Sequence, residues 1–281
     1  MNNWVLFTFI HAVFAGIFQT SNKKAREYSS VLEILGVFSL ISLMLTFFIS
    51  KNVFDIQTFY LFLVFIKSSV IVGALLLNLY AVKNISLSKY GIIHLSRVIF
   101  SVLLSVIILK EKLTPSIMIG IVIVIFGLYM VNSVSKDEKK VSSFKYEIML
   151  LISCFLNSIS AILDKSLSQH LTNSQLQFWY ILFITLIYWV IILIRKQDIN
   201  FKKVRKNYWI PIMAFTLIIG DKVLFIANGI PESQVSVMTV IKQFSTIETI
   251  ILGKLLYNEK NIVKKVLWSL LIILGIIFTI I

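Results

Sequence analysis

Eight ionisable side chains stand where an apolar helix should carry none: His11, Lys67, His94, Arg97, Asp221, Lys222, Lys242 and Glu248 all fall inside long apolar runs. Such groups are expensive in hydrocarbon, so they face a bundle interior or a wet cavity and mark pathways or partners. Their chemistry is that of recognition. The Arg97 guanidinium is a planar fork for a carboxylate or phosphate, and the three lysines are point charges. Lys67, His94 and Glu248 are also candidates to exchange a coupling proton. Catalysis has no comparable support. The three histidines, His11, His94 and His170, lack metal-ligand spacing, and the chain has no Gly-rich phosphate loop, nucleophile elbow or paired soluble-enzyme carboxylates. Cys154, the single cysteine, excludes an intramolecular disulfide and a cysteine zinc cluster. No enzyme, metal or cofactor is expected.

Each of these groups also has a structural account. Arg97 can be locked to Glu248 or Asp221 instead of meeting a ligand. Lys242 can pair with Glu248, but six residues is about 240° around a helix, so a partner on another span fits better. Asp221 and Lys222 point about 100° apart, which sends one to a cavity and the other to a neighbouring helix. His11 can be a hydrogen-bonded polar residue. Glu33 and Asp164 read as interface residues, and Glu111 and Glu259 as caps in turns. Trp179, Tyr180, Tyr188, Trp189 and Trp209 read as an interfacial aromatic belt.

The elements that must position these groups are membrane spans. The 281 residues are 58% hydrophobic and 14% charged, against about 25% charged in a soluble domain. Ten apolar runs approach the roughly 20 residues that cross a bilayer. They cover 4–21, 30–50, 58–80, 88–109, 114–132, 146–166, 174–194, 208–228, 233–256 and 264–281. The first run has no basic n-region or cleavage site, and reads as a mature span. The net charge of +14 sits in short loops, so nucleic acid is not an expected partner.

The polar stretch 133–144 divides the chain into five-span halves, 1–132 and 145–281. A shift of 148 places Glu111–Lys112 on Glu259–Lys260, and His94, Arg97, Ser101 and Ser105 on Lys242, Ser245, Thr249 and Gly253. A shift of 145 places Thr8, Ala12, Ala15 and Gln19 on Ser153, Asn157, Ser160 and Asp164. Both are polar or small stripes at helical spacing. Because five is odd, the copies are inverted in the membrane. Nineteen Lys and Arg fall in loops 1–2, 3–4, 5–6, 7–8 and 9–10 or at the span ends beside them, against four counted likewise on the opposite side. The positive-inside rule then places both termini on the non-cytoplasmic side of the cell membrane.

Two segments carry a resemblance, "SVIILKEKLTPSIMIGIVIVIFGLYMV" (105–131) and "ILGKLLYNEKNIVKKVLWSLLIILGIIFTI" (251–280). Ten spans in two halves, each with a short acidic–basic turn before a Gly-containing fifth span, resemble the drug/metabolite transporter superfamily and its EamA branch. The resemblance implies a cavity surrounded by spans 1, 3, 4, 6, 8 and 9, peripheral spans 5 and 10, and alternating access. One departure stands out: many members carry a proline midway along spans 4 and 9, and this chain has none there.

The expected fold is an all-α integral membrane protein, ten transmembrane helices in two inverted five-helix repeats around a central cavity. Lys67, Arg97, Lys222 and Lys242 outnumber Asp221 and Glu248, so an anionic group should help fill the cavity. The expected function is secondary transport of a small anionic or zwitterionic metabolite through a pocket between spans 3, 4, 8 and 9. Arg97, His94, Lys67, Lys242, Asp221, Lys222, Glu248, His11 and Asn157 are its candidate binding residues. The alternatives are a flippase-like carrier of an amphiphilic or lipid-linked anion, and a non-transporting membrane subunit. Expected partners are the substrate and membrane lipids; proton coupling and a homodimer are left open.

Overall fold

Polar residues at the ends of the apolar runs decide where the helices begin. The structure, a computed structural model, describes residues 3–84, 93–134, 144–257 and 262–281. Its helices are α1 (Asn3–Tyr28), α2 (Val31–Ile49), α3 (Thr58–Asn84), α4 (Ser96–Ile108), α5 (Pro115–Val134), α6 (Phe144–Ser168), α7 (Asn173–Ile194), the short α8 (Phe201–Val204), α9 (Trp209–Gly229), α10 (Val235–Ile241), α11 (Phe244–Tyr257) and α12 (Ile262–Ile280). Among the described residues there is no strand, and nine stretches are long and apolar enough to cross a membrane. The shorter α4 is the tenth span. Span 9 comprises α10 and α11 together. Glu259–Lys260 and most of the linker, 135–143, lie outside the described residues.

Two capping boxes set the second span of each half. Ser30 accepts from the Glu33 N–H, and Glu33 accepts from the Ser30 N–H at 2.8 Å. Thr172 and Gln175 repeat the arrangement at the start of α7, with Thr172 N–H donating to Gln175 Oε1 at 3.0 Å. Each box also reaches the other half. Asn200 N–H donates to Glu33 Oε1 at 3.2 Å, and Gln175 Nε2 donates to the Asp55 carbonyl. Glu33 is therefore a cap that ties two loops, which satisfies otherwise orphaned N–H groups at helix starts.

Helix packing obeys the same exchange. α1 packs on α9 as α6 packs on α3, α4 on α6 as α11 on α1, and α3 on α7 as α9 on α2. The remaining main pairs, α2 with α7, α5 with α12 and α4 with α10, join equivalent spans directly. Main helix pairs that exchange when the halves are swapped are what a pseudo-two-fold between five-helix repeats requires.

α5 and α12 form their own pair away from the charged spans. Hydrocarbon gives apolar helices no reason to associate, so close backbone approach must supply the attraction. Gly120 and Gly275 allow it. A Cβ at Gly120 would stand 2.5 Å from the Gly275 carbonyl oxygen, and one at Gly275 would stand 2.7 Å from the Gly120 carbonyl oxygen. Backbone cannot yield as a flexible side chain can. Gly120→Val is therefore expected to destabilise the protein by about 2 kcal/mol or more. Ile119→Val, on the exposed neighbouring position, should change little; thermal unfolding in detergent compares the two.

Candidate functional site

Spans 4 and 9 are both interrupted inside the membrane. Residues 93–94 are helical, Leu95 is a turn, and α4 starts at Ser96. In span 9, α10 ends at Ile241, Lys242 and Gln243 form a turn, and α11 starts at Phe244. The shift of 148 that aligns the stripes puts Leu95 on Gln243, so the breaks are equivalent. Neither needs the missing proline. Each tightens into three-residue turns, with Val98 N–H on the Leu95 carbonyl at 3.0 Å and Ser245 N–H on the Lys242 carbonyl at 3.2 Å.

Hydroxyls add further bonds to carbonyls beside both breaks. Ser158 of α6 donates to the Arg97 carbonyl at 3.1 Å, and the Ser245 hydroxyl donates to the Lys242 carbonyl at 2.8 Å. Irregular backbone at membrane depth is tolerated where protein groups satisfy it or it borders a cavity. Both conditions hold here.

The cavity has a volume of about 120 Å³, and His11, Lys67, Arg97, Asn157, Asp221 and Lys242 line it. Their levels agree along the helices. His11, Lys67, Tyr180, Asp221 and Lys242 lie seven to nine residues from Asn3, Thr58, Asn173, Gly229 and Val235, or about 10–14 Å from one end of the bundle. Three cations and, with Asp164, two carboxylates share this layer. Lys67 Nζ pairs with Asp164 Oδ1 at 3.0 Å and sits 3.1 Å from the centroid of the Tyr180 ring, with Phe225 at 5.3 Å. His11 Nδ1 lies 3.0 Å from the Gly220 carbonyl. Asn157 Nδ2 donates to the Ser153 carbonyl at 2.8 Å. Among the described residues, Asp221 and Lys242 have no ion pair.

Three expected residues are not brought into this cavity. His94, Lys222 and Glu248 do not line it. Asp221 faces in, and Lys222, a step further around α9, does not. Glu248 lies against Gly16 of α1. The walls are also wider than spans 3, 4, 8 and 9, because α1, α6 and α7 contribute. Asp164 is not an interface residue: α6 continues to Ser168, and the carboxylate pairs inward. Its place in the Ser153–Asn157–Ser160–Asp164 stripe was the available signal. Tyr180 is not part of an aromatic belt but the floor under Lys67, and only its position seven residues into α7 hinted at that.

The acidic turn after span 4 is structural. Lys110 takes a left-handed conformation, φ 56°, which ends α4. Glu111 then accepts from the backbone of Val235 and Ser236 and from the Ser236 hydroxyl, capping α10. Lys165 closes the neighbouring helix end, donating to the Asn228 and Ile230 carbonyls at 3.1 and 2.8 Å. An anion at a helix start and a cation at a helix end both oppose the local backbone dipole.

The Lys67–Asp164 pair is buried enough for removal of one partner to cost more than removal of both. Asp164→Asn should lower stability by about 3 kcal/mol, because it strands an ammonium. Lys67→Met with Asp164→Leu should recover most of the loss. Additive losses in the double-mutant cycle would show that the pair does not couple.

The family model described as the EamA-like transporter family matches this chain twice, over residues 2–133 and 144–281. Among curated proteins, none matches its sequence. A solved structure, titled only as the crystal structure of a protein, superposes with a TM-score of 0.75 at 11% identity. The match covers 98% of this chain and 95% of that one, and at such identity it speaks for the fold alone. Two family matches, one per half of a bundle whose main helix pairs exchange between the halves, identify the chain as a multi-pass membrane protein of the EamA-like transporter family, within the drug/metabolite transporter superfamily.

Proposed function

We propose that the protein is a secondary transporter of a small anionic or zwitterionic metabolite, moved by alternating access of the mid-span cavity. The observation that carries this reading is the charge layer itself. Lys67 is neutralised by Asp164, whereas Lys242 and Asp221 face the same cavity with no ion pair among the described residues. Arg97 lines it beside them. Lys242 suits an acidic ligand group and Asp221 an amine, so the cavity offers one charge of each sign beside the Lys67–Asp164 pair. α4 and α11 also begin at this level, and helix starts favour negative charge. A cationic drug would meet the wrong sign. The small polar volume also favours a metabolite over a flippase-like cargo with acyl chains.

The test is flux in proteoliposomes, with thermal stabilisation as the binding readout, across a panel of amino acids, dicarboxylates, phosphate esters and organic cations. An acidic or dipolar compound should bind and move. Arg97→Ala should weaken binding about 10–100-fold, the loss of a charge-assisted hydrogen-bonded contact, and leave the fold intact. Unchanged affinity in a folded Arg97→Ala would remove that residue from the site, and a panel in which only cations bind would sink the reading.

The same reading places the Lys- and Arg-rich loops in the cytoplasm and both termini outside the cell membrane. An epitope fused at either end should be reached by antibody on intact cells. Protection of both ends until the cells are permeabilised would reverse the orientation.

A further inference from the structure

Glu248 is ionisable, membrane-embedded and unused by the cavity. Its carboxyl rests on α1 at Gly16, where even a Cβ would overlap Cδ and Oε2. Glu248 Oε2 is buried with no hydrogen-bond partner among the described residues. Gly16 and Glu248 each lie thirteen residues beyond the starts of their spans, Asn3 and Val235, about 20 Å along. The contact therefore lies beyond the cavity, towards the Lys- and Arg-rich loops, where α11 packs on α1.

The equivalent seam, α4 on α6, is held differently. Ser101 donates to Ser158 at 3.1 Å, a bond between neutral groups. Two seams that exchange under the pseudo-two-fold thus carry different chemistry, and one of them can respond to protons. Among the described residues Glu248 has no ion pair. His11 on α1 is committed to the Gly220 carbonyl. Further along α1, Lys24 pairs with Glu27 and Arg26 donates to Asn22, and Lys242 at the α10 junction and Lys264 on α12 form no ion pair with Glu248 among the described residues. Glu248 is half-buried with Oε2 enclosed, and an unpaired carboxylate held so costs more than a neutral carboxyl.

We propose that Glu248 is a proton-binding site that latches α1 onto α11. Protonated, its carboxyl seats in the Gly16 notch and the seam is shut. Ionised, it leaves the notch, the seam parts towards the Lys- and Arg-rich side, and the proton passes to the water that enters. This rests on the transport reading of the cavity and supplies it with a coupling ion.

The test needs no substrate, so failure to find a transported metabolite and failure of the latch are separate results. Reconstituted protein carrying carbon-13 in its glutamate carboxyls should show, by infrared difference spectroscopy, a protonated glutamate that titrates and is lost in Glu248→Gln. Because this reading is taken first on the wild-type chain, it survives a variant that fails to fold. Thr20, one turn beyond Gly16 and buried, reports on the seam. In a Cys154→Ser background, the thiol introduced by Thr20→Cys should react several-fold faster with a membrane-impermeant maleimide as pH rises. Adding Glu248→Gln to that protein keeps the intrinsic pH dependence of the thiol and should remove the extra gain. A wild-type spectrum without a titrating glutamate, or labelling with the same pH profile in both backgrounds, would overturn the proposal.

Discussion

Hydrocarbon offers no water to a broken helix, so every carbonyl released inside a span needs a protein partner or a wet surface. That constraint organises this molecule. Spans 4 and 9 break at equivalent points, and a hydroxyl bonds a carbonyl beside each break, Ser158 on Arg97 and Ser245 on Lys242. The breaks turn Arg97 and Lys242 towards a shared space, and the charges in turn keep that space polar. An apolar cavity would give the turns no wet face.

Burial of charge then divides the cavity into a fixed part and a responsive part. Lys67 is held by a carboxylate and the face of Tyr180, two contacts that desolvation strengthens. Such a clamp joins α3, α6 and α7 across the two halves and is suited to positioning. Lys242 and Asp221 have no comparable clamp. A cavity in hydrocarbon cannot leave all its charges unpaired, and the Lys67–Asp164 pair is the ion pair this one makes among the described residues.

Much of this was legible in the sequence because membranes punish polar residues so strongly. Ten apolar runs gave the spans, and stripes at helical spacing gave the repeat. Mid-span position placed six of the nine candidate residues on one cavity: His11, Lys67, Arg97, Asn157, Asp221 and Lys242. What failed was distance from a span end. Asp164 looked interfacial because the apolar run stops near it, but the helix continues to Ser168 and carries the carboxylate inward. Tyr180 looked like belt for the same reason. Rotation was the other blind spot. Glu248 shares a span with Lys242, yet the turn at residues 242–243 changes the phase between them, so a continuous-helix angle did not apply.

Inverted repeats make two half-sites from one design, and here the copies have diverged where it matters. Both capping boxes survive, but one uses Glu33 beside a basic loop and the other uses neutral Gln175. Both interrupted spans survive, but Arg97 in span 4 aligns with Ser245 in span 9, and His94 aligns with Lys242. Backbone geometry is shared because each half must solve the same packing problem. Side-chain charge is free to differ because the two sides of a membrane differ. The two halves therefore share one backbone design and differ in the charges it carries.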